Sequence, residues 1–200
     1  MTETFERTRY AAAVGGLLTP PRLAPLGPGE PNLVMRARLE SLADRELFAG
    51  CKVIDRTMAE ACRAALWLYH DFLSQSHEIS QAIDTAVGSY WHGIMHRRES
   101  DFANANYWFR RVGRHPIRVR LARAAGRIAG EHAADLPPQG EYLLGQAAWD
   151  YQAFTALCRV AQAGSPQAEI CCRHVQQAEW ELLFVYCYHA AVGDTVAVAE

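Results

Sequence analysis

Lysine is all but missing from this chain. Lys52 is the only one, and the rest of the 20 basic residues are arginine. Net charge is also small, at −2, so the molecule as a whole has no strong attraction to nucleic acid or to an anionic membrane. No apolar run approaches the roughly 20 residues that a membrane-spanning helix needs. The six cysteines, Cys51, Cys62, Cys158, Cys171, Cys172 and Cys187, include no CxxC pair and form neither a disulfide framework nor a zinc-finger spacing. Most fall in apolar helical patterns, where a reduced thiol packs as a small hydrophobe, and they predict a reducing compartment. Walker, GxGxxG and GxSxG motifs are absent, which removes the usual sequence grounds for a phosphate loop, a dinucleotide fold or a hydrolase elbow.

The start of the chain superficially resembles a secretion signal, with Arg7 and Arg9 before an apolar run from Ala11 to Leu18. Glu3 and Glu6 spoil the positive segment, and Gly15 and Gly16 interrupt the run, so a cytoplasmic location is expected.

What is present is globular. Hydrophobic residues make up 50% of the chain and charged residues 21%, in a length suited to one domain. Residues 19–32 hold Pro20, Pro21, Pro25, Pro28 and Pro31 without periodicity, which forbids regular structure there and predicts an extended arm, loose or draped over the body. The expected organisation is an arm and linker over residues 1–33, with a short helix within 3–17, and one all-helical domain over 34–200.

From Asn32 onward the apolar period is that of a helix. Val34, Met35, Leu39, Leu42 and Leu47 predict a first helix ending at Gly50; Val53 to Leu73 predict a second. A third begins near Ser80 or Asp84 and ends at Arg98. A fourth spans Phe102 to Val112, capped by Asp101 and stopped at Gly113. The fifth runs from Pro116 to about His132, the sixth from Tyr142 to Ala163, and the last from Pro166, with Ser165 as N-cap, to Val192. No segment alternates strictly, so the expected fold class is all-α, a compact bundle of about seven helices.

Residues 67–109 concentrate the chemistry. His70, Asp71, His77, Trp91, Arg97, Asp101, Asn104 and Trp108 are ligand-binding candidates there, with Trp67 nearby. His92, His96 and Glu99 lie at i, i+4 and i+7 and share a helix face. His70 and His77 likewise share a face. If the second and third helices form a hairpin with its turn near Ser80–Asp84, His70 comes level with His92 and His96; a turn nearer Ser76 separates them. Imidazole with carboxylate suits a divalent transition metal such as zinc, iron or manganese and also serves proton transfer. His92, His96, Glu99 and His70 are therefore the candidate metal ligands, with Asp71 or Asp101 orienting a ring from behind. The spacing is not a zincin, because Gly93 stands where Glu is required, and His96-Arg-Arg-Glu99 reverses the di-iron order. The same residues also fit a small-molecule or phosphate pocket without metal, or a core polar network with no ligand at all.

Two resemblances follow. The run from Trp91 to Gly113, together with Gln176 to Trp180 and then Tyr186 and Cys187, resembles a family of bacterial and fungal helical proteins of unknown activity, which implies no catalytic residues. Asp101 to Arg111 resembles the second helix of a tetratricopeptide or Sel1-type repeat, which implies an interaction module with a purely structural polar network. A further alternative is anion or nucleic-acid binding through the nine arginines from Arg97 to Arg127. A solvated face is the plainer reading of the last, since no aromatics interleave with the arginines. An unidentified small molecule or protein is the expected partner.

Overall fold

A computed structural model describes residues 12–164 and 166–194, with Asp135 described by its backbone alone. Among them every regular element is helical and no strand occurs. The α-helices are α1 (Ala12–Leu17), α2 (Arg36–Ser41), α3 (Asp44–Leu47), α4 (Arg56–Tyr69), α5 (Leu73–Gln81), α6 (Ala86–Arg98), α7 (Phe102–Val112), α8 (Arg118–Glu131), α9 (Tyr151–Gly164) and α10 (Pro166–Val192). None of the described helices is long and apolar enough to cross a membrane.

The best-signalled elements lie where their caps put them. Thr85 accepts from the Gly88 N–H at 3.3 Å to start α6, and Asp101 accepts from the Asn104 N–H at 3.1 Å to start α7. Gly113 and Gly193, with φ of 64° and 78°, follow α7 and α10 in a region where glycine meets no Cβ penalty. Ser165 and residues 3–11 of the expected N-terminal helix lie outside the described residues.

Three expectations are corrected. The single helix expected up to Gly50 is a 3-10 turn followed by α2 and α3, because Leu42 and Ala43 are extended between them. Arg63 takes the Leu42 carbonyl at 2.7 Å, and the Ala43 N–H turns to Glu46 at 3.2 Å, so the chain restarts. The helix expected from Tyr142 begins nine residues later, at Tyr151, with Asp150 accepting from the Ala153 N–H at 2.9 Å. Most consequential, the helix expected from Val53 to Leu73 stops at Tyr69. Asp71 adopts a left-handed φ of 63°, and the chain sets off again as α5.

Helix α6 lies at the centre, buried continuously from Val87 to Arg98 against α4, α5 and α7. Gly93 permits this. A Cβ there would sit 2.7 Å from the Phe109 ring of α7. A helix enclosed on all sides that still carries Tyr, His and Arg needs polar partners inside the body. α10 closes the other side, packing on α4, α8 and α9.

The Pro-rich arm drapes over this body. An extended proline segment bonds little to itself, so its carbonyls need outside donors. Arg173 donates to the Leu23 and Ala24 carbonyls, Gln176 to Pro25 at 3.1 Å and Arg98 Nε to Gly27 at 3.2 Å. Leu26 is fully buried beneath it.

Candidate metal centre

Three imidazoles meet where α5 crosses α6. His77 stands mid-way along α5, and His92 and His96 stand one turn apart on α6. One ring nitrogen from each lies within 4.8 Å of the others. Ring centroids are 4.6 Å apart for His77 and His92, 5.2 Å for His77 and His96, and 4.7 Å for His92 and His96. Among the described residues this is the one such grouping of His, Cys, Asp or Glu.

Helix α7 braces the group from the far side. Trp108 stacks on His92 at 4.0 Å and 19°, which fixes the ring plane. Glu99 Oε2 lies 3.0 Å from His96 Nδ1, and Asn104 Nδ2 lies 3.2 Å from His96 Nε2. A carboxylate acceptor requires Nδ1 to carry the proton, so Nε2 keeps the lone pair and accepts from Asn104. His92 has neither arrangement: both of its ring nitrogens are buried and unpartnered in the protein. Burial, aided by His96 and His77, holds its pKa down to about 3, so the ring is neutral at physiological pH. His96 is also lowered by burial, against the pull of Glu99. A neutral imidazole with a free lone pair is the form that binds metal.

The candidates named from sequence divide clearly. His77, His92 and His96 come together, with Asn104, Trp108 and Glu99 around them. Glu99 is not among the gathered ligand atoms but orients His96 from outside. Asp101 caps α7 and so places Asn104.

His70 is not in the group. It ends α4, buried, with Nδ1 3.1 Å from the Asn32 amide, and its carbonyl accepts from the Asn32 N–H at 2.9 Å. Asp71 is held by Arg22 at 2.5 Å and by Arg98. Trp67 packs edge-on against Phe72 at 5.1 Å. Trp91 is a fully buried core residue, 6.3 Å from Trp180. Arg97, also fully buried, pairs with Glu179. Arg97 and Arg98 lie inside the body, whereas Arg110, Arg111, Arg114, Arg123 and Arg127 are exposed.

Two important partners escaped sequence reading. Glu179 and Arg22 reach their targets across 82 and 49 residues, and no local pattern announces a contact of that separation.

A groove of about 540 Å³ runs between the arm at Pro28–Leu33 and the start of α5, and Glu99 forms part of its wall. The fold and site thus define an all-helical protein with a histidine-lined centre beside a surface groove. The chain matches no known protein family, and no curated protein or solved structure is significantly similar to it.

Proposed function

We propose that this protein binds one divalent transition-metal ion through His77, His92 and His96. The observation that carries this reading is His92, a buried imidazole with both nitrogens unpartnered, grouped with two other imidazoles so that one nitrogen of each lies within 4.8 Å of the others. Buried polar groups are satisfied in folded proteins as a rule, and an ion between the three rings gives one of the two His92 nitrogens a partner. The hydrogen bond from His96 to Glu99 matches the carboxylate–histidine arrangement that fixes the tautomer of metal ligands.

Three neutral nitrogen donors suit zinc, copper, iron or nickel better than magnesium or calcium, which prefer oxygen. Three protein ligands also leave a coordination position for water, substrate or a further side chain. The neighbouring groove is open to the surface, and a ligand lying in it would touch Glu99, the carboxylate that orients His96.

The test is elemental analysis of protein prepared without chelator or affinity tag, followed by calorimetric titration of stripped protein with zinc. One ion per chain is expected, lost in the His92→Ala and His96→Ala variants. A folded protein that binds no zinc, cobalt or copper above background rejects the centre and leaves the cluster as packing.

A further inference from the structure

Three histidines leave the ion incomplete, and Asn104 contacts one of them directly. Its amide nitrogen sits 3.2 Å from His96 Nε2, the nitrogen that Glu99 leaves with a lone pair. An N–H pointed at that lone pair is a good partner in the empty site and a poor one in the filled site, because a cation repels it. The amide has a second face. A half-turn about its terminal bond exchanges nitrogen and oxygen with almost no change of shape. The oxygen then stands about where the nitrogen was, near 3.2 Å from Nε2. Two ligands of one tetrahedral ion, each about 2.0–2.1 Å from it, stand about 3.3–3.4 Å apart. The separation matches that of two ligands of a single ion, which would enter on the lone pair as the amide swings aside from it.

We infer that Asn104 is an exchangeable fourth ligand: its amide nitrogen caps His96 in the empty centre, and its carbonyl oxygen joins the three imidazoles on the ion in the filled one. This rests on the proposed metal centre. The backbone around Asn104 is suited to such an exchange. Its N–H is tied to the Asp101 cap at 3.1 Å, and Trp108, one turn further along α7, is stacked on His92. The helix stays in place and only the side chain turns. Asn104 is half-buried, at the rim of the cluster. The resulting set of three nitrogens and one neutral oxygen keeps the full charge of the ion, and an amide oxygen is a weak ligand that an incoming anion can displace.

The experiment is a cobalt(II) titration of the full, metal-stripped chain, read by visible absorption. Wild type is expected to bind one ion with the intense bands of a four-coordinate site. Asn104→Ala should weaken binding on the order of tenfold to a hundredfold and dim those bands as water enters. Asn104→Asp, which keeps an oxygen at the same reach, should bind at least as tightly as wild type. Circular dichroism of each variant checks that α7 is intact. Wild-type affinity and spectrum in folded Asn104→Ala, or weaker binding in Asn104→Asp, would overturn the role of Asn104 and leave the three-histidine centre standing. Absence of binding by wild type overturns both.

Discussion

Glu179 meets Arg97 at 2.5 Å across 82 residues of chain, and neither side chain has any exposed surface. The pair is embedded in aromatic groups. Tyr90 and Trp149 donate to the same carboxylate at 3.1 and 3.2 Å, and the guanidinium lies 4.7 Å over Phe154. Two charges taken out of water are tolerable together and costly apart. Glu179→Ala should therefore lower stability by about 3–5 kcal/mol in urea unfolding. Arg97→Met combined with Glu179→Leu should cost less than the two single changes added together. Strict additivity would show that the pair is not coupled.

Asp71 does for the arm what Glu179 does for the core. Its carboxylate, 2% exposed, binds Arg22 of the arm and Arg98 of α6 at once. Gly29 of the arm passes so close that a Cβ there would lie 2.7 Å from the carboxyl group. Replacing Asp71 with Ala leaves the buried Arg98 without its counter-charge and loosens the arm. Trypsin should then cut after Arg22 several times faster than in wild type, under conditions where the body stays intact. Arg22→Gln should destabilise less, because Arg22 is 30% exposed and its charge is partly solvated. Equal cleavage of wild type and Asp71→Ala would refute the latch.

Gly93 links fold to site. Gly93→Ala drives a methyl into the Phe109 ring and pushes α7 away from α6, at a cost of about 1–3 kcal/mol. Because α7 carries Asn104 and Trp108, the same change should also weaken metal binding, although Gly93 touches no ligand. Stability and cobalt affinity measured on one preparation should fall together; unchanged affinity in a destabilised variant would separate the two.

Acid should destabilise the fold through histidines outside the centre. His115 is held down to about 4 by burial alone, and His70 to about 4 by burial and by Arg22, against the Leu17 carbonyl and Asp71. An unfolded histidine titrates near 6.5. Between those values the unfolded chain binds more protons than the folded one, so stability rises with pH. The contribution is complete above about pH 6.5 and is lost as pH falls toward 4, by up to about 3 kcal/mol for each ring. Urea midpoints from pH 7 to pH 4.5 should show the decline, and His115→Phe should flatten it. An unaltered slope in that variant would rule out His115.

How much of this was legible without coordinates varies by element. The boundaries of α7 and the start of α10 are written in short-range chemistry, Asp101 before Phe102 and Pro166 at the first turn. The face shared by His92 and His96 follows from their spacing of four within one helix. The partner of that face was not legible. His70 and His77 are seven apart and look equivalent if one helix carries both.

The sequence alone determined an all-helical chain with local caps and a paired imidazole face, because those features depend on neighbours within a turn or two. Tertiary structure decided which histidine joins the pair. Asp71, with its carboxylate gripped by Arg22 and Arg98 from 49 and 27 residues away, sits in a left-handed turn that ends α4 at His70 and starts α5 on a new line. That break turns His70 toward the arm and brings His77 beside His92 and His96. The charges that meet at this break come from distant parts of the chain, and no window of local sequence contains them together.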